Sequence, residues 1–295
     1  MTKLASTATP QPAADLATRM KIEIREIGIP PRPTILNQIE QEIAKEEPDF
    51  IRLAKMLSQD VGLSASLIKV ANSPYFSFGK KVPTVQEALL VLGLKLILRT
   101  VAGLALQQVF KHVPNMERFW DTSAAIAEVS SWLARRVGRQ LGIRPEDAYT
   151  FALFRDCGIP VLMIPFAEYR PALAAANAEA EDAFTAVEDA AIGINHAVVG
   201  AELAETWLLP EETWLAIRHH HDRQVFAPDS SLVPPRARAL IAIAQFAEYL
   251  EQQHSGRHQT REWDKLGADC LACLGLDADT LAKLSRDFQS DNPTG

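Results

Sequence analysis

Histidine carries the densest chemistry in the chain. His196 follows Asn195, and His219, His220 and His221 run together ahead of Asp222 in AIRHHHD. Neutral imidazoles are the commonest metal ligands, and such residues converging from separate helices on Asp156 would hold a divalent ion. The competing reading is structural, because histidines in a last helical turn complement the helix dipole and cap its carbonyls. No His-x-x-x-His or Glu-flanked motif fixes two ligands on one face, so spacing alone favours the structural reading.

Asp156 lies in FALFRDCGIPVLM, an apolar stretch broken only by Arg155 and Asp156. Desolvating an unpaired charge costs several kcal/mol, so both need partners. In a helix, neighbours at i and i+1 point about 100° apart, so these two are not expected to neutralise each other. Cys270-Leu271-Ala272-Cys273 has redox or zinc spacing but lacks a second pair and a preceding strand, and reads as small side chains on a buried helix face. FIRLAKMLSQDVGLSASLIKVANS has a helix, a turn and a helix, which raises a DNA-reading unit. Its turn, Ser58 to Leu63, looks too long, and its second helix offers only Lys69 to phosphates, so a packed helical pair is expected. The chain contains no Gly-x-Ser-x-Gly, Gly-x-Gly-x-x-Gly or Walker sequence. A metal site, or no active site, remains.

The elements that position these residues read as helical from Leu16 onward, with no sustained period-2 alternation, so the fold class is all-α. Residues 1–15 are small, polar and proline-bearing, an expected flexible tail. Thr84 to Glu87 has capping-box spacing ahead of ALLVL, and Gly93 divides that helix from LKLILRTVAGLALQQVF. Helices are expected near 49–59 and 64–72. Pro114-Asn115 marks a subdomain boundary, giving an N-terminal part over 16–112 and a second part over 113–252. A C-terminal helical extension follows over 253–290, with a flexible end over 291–295. Pro145 opens the helix carrying FALFRD, and Pro160 and Pro165 break the stretch after it. Residues 179–190 read as an acidic, solvated helix, and Pro210 suits the first position of PEETWLAIRHHH.

Composition narrows the partners. Thirty Lys and Arg against 37 Asp and Glu give a net charge of -7, which argues against a general nucleic-acid or anionic-membrane binder. Three cysteines and no secretory signal make a reducing cytoplasm the expected location. The longest apolar runs, such as ALLVLGLKLIL, are cut by Lys95 and look too short to span a bilayer.

The chain resembles the HDOD family, bacterial signalling modules named as a variant of the metal-dependent HD phosphohydrolases. The resemblance lies in IPPRPTILNQI at 29–39, LAKMLSQDVGLSASLIKVANSPYF at 53–76 and VPTVQEALLVLGLKLILRTV at 82–101. It continues through Trp120 and Ser123, FALFRDCGIPVLM, NHAVVGAELAETWLLP and AIRHHHD, so it covers 28–224, about two thirds of the chain. It implies an N-terminal helical subdomain packed on a degenerate HD-like helical subdomain.

In the catalytic relatives a His-Asp pair binds metal, with further histidines and a final aspartate. The resemblance places Arg155 where that histidine would stand, Thr122 at the first histidine and Gln245 near the last aspartate, while Asp156, His196, His219 and His220 persist. A guanidinium stays protonated and cannot ligate metal. The chain is therefore expected to be a pseudo-enzyme with no catalytic residue, metal or cofactor, acting through other signalling proteins, with no DNA or membrane partner. Arg155 is expected to pair with an acid from a neighbouring helix while Asp156 accepts from His196, His219 or His220. Two alternatives stay open: a residual phosphodiesterase using Asp156, His196, His219 and His220, or an anion or nucleotide sensor using Arg155 as a phosphate fork.

Overall fold

The computed structural model of the chain describes residues 27–76, 81–256 and 260–291. The expected tail over 1–15, the start of the N-terminal part over 16–26 and the chain end from 292 lie outside the described residues. Among the described residues every regular element is helical, as the apolar spacing requires.

Helices α1 (Thr34–Ile43), α2 (Phe50–Leu57) and α3 (Val61–Ala71) pack against the long α4 (Val85–Val109). They bury Leu36 and Ile39, Leu53 and Leu57, and Leu67 and Ala71, pairs three or four apart that share a helix face. Asp49 caps α2 by accepting from the amides of Ile51 and Arg52, and Asp60 caps α3 through Leu63. Thr84 Oγ1 accepts from the Glu87 amide at 3.1 Å at the start of α4. Gly93 interrupts α4 with φ 73° and ψ 158°, a conformation open to glycine, as the sequence implied.

Two expectations for this region change. The α2–α3 connection is the three residues Ser58 to Asp60, because Asp60 caps α3 and Gly62 falls inside its first turn. Turn length therefore does not argue against a helix-turn-helix; the sparse positive charge still does. Helix α4, at 25 residues, is also long and apolar enough by length and composition to cross a membrane, although its apolar runs looked too short. Half of its apolar window is buried within the protein, and its Arg99 reaches Asp147 at 2.9 Å and Thr150 at 3.1 Å in the next part of the chain.

The second part comprises α5 (Glu117–Val137), α6 (Pro145–Phe154), the short α7 (Gly158–Leu162), α8 (Tyr169–Ala178), α9 (Phe184–Ile192), α10 (His196–Thr206) and α11 (Glu211–His219). It continues with α12 (Pro235–Ser255), on which α13 (Glu262–Leu274) and α14 (Ala278–Asp291) pack. Pro145 occupies the first turn of α6, as expected. Pro160 sits inside α7, in its first turn, where no amide bond is lost; Pro210 stands one residue before α11. Helices α6 and α12 are buried nearly all round: Asp147 to Phe154 and Leu240 to Glu248 are each continuously buried.

The core runs without a break from Leu36 to Phe288. At the junction of α4 and α6 the helices approach so closely that a Cβ on Gly103 would lie 2.1 Å from Leu153 Cδ2. The C-terminal extension joins the same core, with Phe288 edge-on to Trp132 at 5.5 Å between ring centroids. Cys270 is buried on α13, Cys273 half-buried, and all three cysteines are free thiols.

Candidate functional site

Helix α6 ends at Phe154, so Arg155 and Asp156 occupy a turn rather than consecutive helical positions. That release lets Arg155 Nε donate to Asp156 Oδ2 at 3.1 Å, contrary to the expectation drawn from helical geometry. The same guanidinium donates from both terminal nitrogens to Glu248 of α12, at 3.0 and 2.7 Å. Glu248 is the acid from a neighbouring helix that the sequence called for without naming. Arg155 and Glu248 are each 4% exposed. Every nitrogen of the fork is engaged, which leaves no free edge for a phosphate.

Two glycines bring the ligand-bearing backbones together. A Cβ on Gly158 would lie 2.1 Å from the His196 carbonyl oxygen and 2.8 Å from the Gly200 amide nitrogen, so α7 and α10 touch backbone to backbone. Asn195 caps α10 through the Val198 amide at 3.0 Å and donates to the Asp189 carboxylate. His196 therefore starts α10 directly beside the Asp156 turn.

Asp156, His196, His220 and His221 form one cluster whose donor atoms all lie within 4.8 Å of one another. Asp156 Oδ1 lies 3.3 Å from His220 Nε2 and 3.5 Å from His196 Nε2, and those two nitrogens are 3.3 Å apart. Each ring is anchored through Nδ1: His196 on Glu188 at 2.7 Å, His220 on the Ile217 carbonyl at 2.7 Å, and His221 on Glu262 at 2.5 Å. Glu262 also pairs with Lys265. Phe184 stacks on the His221 ring at 4.6 Å. Beside the cluster a cavity of about 290 Å³ is lined by Thr122, Arg155, Asp156, His221, Glu248 and Glu262, among others.

His219 does not join this group. It is half-buried, and its nearest acid is Asp222 at 3.6 Å. Helix α11 ends at His219, and the turn after it carries His220 and His221 inward instead. Gln245 donates to the His220 carbonyl at 3.4 Å, and its Oε1, although buried, has no hydrogen-bond partner.

The protonation pattern follows from these contacts. Burial alone would lower the His196 pKa, but the Glu188 charge and the Asp156 carboxylate raise it to about 10. Burial, aided by the neighbouring His221, pushes His220 down to about 4. Burial would raise the Asp156 carboxyl, yet the Arg155 charge and hydrogen bonds from both imidazoles hold it well below the usual range. Against the same opposing burial, His221 and Lys265 hold Glu262 at about 2.

Sequence reasoning missed three members of this environment. Glu188 was read as part of a solvated acidic helix, but it is fully buried and accepts from Tyr169 Oη at 2.5 Å as well as holding His196. Its signal was its place four residues after Phe184, on the buried face of α9. His221 was set behind His219 because no spacing distinguishes three adjacent histidines. Glu262 lies 41 residues beyond His221, and nothing local connects them.

The HDOD domain profile matches residues 29–223, most of the chain and all four residues of the cluster, with Glu248 and Glu262 beyond it. The chain belongs to the HDOD family. A Treponema pallidum protein described as uncharacterized is 28% identical over 174 residues, 59% of this chain and 32% of its own length, so the chain spans about a third of that relative. A Marinobacter aquaeolei structure provisionally named a signal transduction protein aligns over 94% of this chain and 63% of its own, at 19% identity and TM-score 0.66. A Shewanella amazonensis structure provisionally named a phosphohydrolase aligns over 91% and 94%, at 21% identity and TM-score 0.63. At these identities the two structures establish that the HDOD chain shares their fold.

Proposed function

We propose that this HDOD chain is a non-enzymatic signal-transduction module that acts by binding other signalling proteins in the cytoplasm. The observation that carries the reading is the double engagement of Arg155, locked on Glu248 and on Asp156 Oδ2. Metal-assisted phosphoester hydrolysis needs an ion with an open position for water beside its carboxylate. Here a permanent cation holds the outer oxygen of Asp156, and Thr122 and Gln245 supply a hydroxyl and an amide where the resemblance places metal-binding groups. The name given to the Marinobacter structure and the family's signalling character support the regulatory half of the reading. The free state of all three cysteines is compatible with a reducing compartment.

The test is an assay of the purified chain on phosphomonoesters, phosphodiesters and cyclic dinucleotides with added zinc, manganese or magnesium. No turnover above background is expected. Turnover that disappears in His196→Ala would replace this reading with a residual phosphodiesterase. A tagged copy recovered from its native cell, with bound proteins identified by mass spectrometry, names the partner.

A further inference from the structure

We propose that Asp156, His196, His220 and His221 form a closed site for one divalent ion of the zinc class, which ties the α6–α7 turn to α10 and to the end of α11. The proposal goes beyond the signalling reading, which stands or falls on different assays. It starts from a triangle. Asp156 Oδ1, His196 Nε2 and His220 Nε2 lie 3.3, 3.3 and 3.5 Å apart. Ligands bound to zinc at about 2.0–2.2 Å in a tetrahedron are separated by about 3.3–3.6 Å, so these three atoms already mark out one face of such a polyhedron.

The fourth corner has a candidate. His221 is 9% exposed, and its Nε2 is buried without a hydrogen-bond partner. All four residues offer donor atoms within 4.8 Å of one another, which keeps His221 within reach of the fourth position. Because the Nδ1 of each imidazole faces an oxygen of Glu188, Ile217 or Glu262, Nδ1 keeps its proton when an incoming ion displaces the one that His196 carries on Nε2. That is how histidine ligands are oriented and made more basic. Two Nε2 atoms facing each other at 3.3 Å need a proton or an ion between them.

Charge points the same way. Four carboxylates, Asp156, Glu188, Glu248 and Glu262, crowd this region, with Arg155 and Lys265 among them. A divalent ion adds positive charge to this acid-rich surround. With four protein ligands the ion has no open position for water, which is the arrangement of structural rather than catalytic zinc. Arg155, holding Asp156 Oδ2, stands where a second ion would have to bind the same carboxylate.

The full-length chain, freed of any histidine tag and stripped with a chelator, is titrated with Zn²⁺ or Co²⁺, and bound ion is counted by plasma mass spectrometry. One ion per chain is expected, with the intense visible absorption of four-coordinate cobalt and a higher melting temperature than the stripped protein. His220→Gln is expected to lose the ion, whereas His219→Gln, outside the cluster, keeps it. If His220→Gln does not fold, His221→Gln serves for the intense cobalt band, which it should weaken or abolish. Absence of a stoichiometric ion in the parent, retention in His220→Gln, or the weak spectrum of six-coordinate cobalt would each overturn the proposal.

Discussion

Replacing Glu248 by alanine isolates the contribution of the buried ion pair. The substitution leaves Arg155, 4% exposed, with its Nε bond to Asp156 Oδ2 and with two terminal nitrogens stripped of their Glu248 acceptors. Removing one partner of a buried pair typically costs about 3–5 kcal/mol, because the surviving charge stays desolvated. At about 2.1 cal/mol/K of unfolding entropy per residue, a chain of 295 residues loses about 5–8 °C of melting temperature for that cost. Calorimetric melts of the parent and Glu248→Ala, both in chelator so that no ion contributes, measure it. Asp264→Ala, which removes the exposed Arg261–Asp264 pair, supplies the contrast, since such pairs are worth about 1 kcal/mol or less. The double variant Arg155→Met, Glu248→Leu should recover part of the loss, because both charges of that pair vanish together while Asp156 keeps its imidazole partners. A Glu248→Ala protein melting within about 1 °C of the parent would refute the buried-pair argument.

Asp156→Ala should likewise lower the melting temperature sharply, since it strips acceptors from Arg155, His196 and His220 at once; an unchanged melt would show that these contacts carry no net stability. Glu128 on α5 has its carboxyl raised to about 7, chiefly by burial and further by Glu251, with Lys69 opposing. Its stabilising contribution is complete below the unfolded value of 4.5 and fades as pH rises through 7, a loss approaching about 3 kcal/mol. Denaturant titrations between those pH values should show this decline in the parent and a flatter profile in Glu128→Gln. Gly158→Ala places a methyl against the His196 carbonyl and should cost at least the upper end of the usual 1–3 kcal/mol for overpacking, roughly, with shifted ring ¹⁵N signals for His196 and His220.

Much of the fold was legible because helix periodicity and punctuation are local. The Gly93 break, the Thr84 cap and Pro145 in the first turn of α6 each announce themselves within a few residues. Asp156, His196 and His220 were legible through residue type. The remainder of the site depends on distances that spacing does not encode. Whether His219 or His221 turns inward is decided by where α11 ends, and Glu188 sits in an acid-rich segment whose composition looks like surface although its position on α9 is core. The Arg155–Asp156 contact was misjudged because it depends on α6 stopping at Phe154, a boundary finer than the apolar pattern resolves.

The contact of α7 with α10 through Gly158 has one more consequence. The spacing between the Asp156 turn and the start of α10 is gauged by main-chain atoms, with a glycine amide and a histidine carbonyl as the stops. A frame dimensioned in this way keeps its measure whichever side chains occupy it. Either histidine or arginine fits beside Asp156 without the opposing wall moving, so the dimensions of this frame are set independently of the chemistry placed inside it.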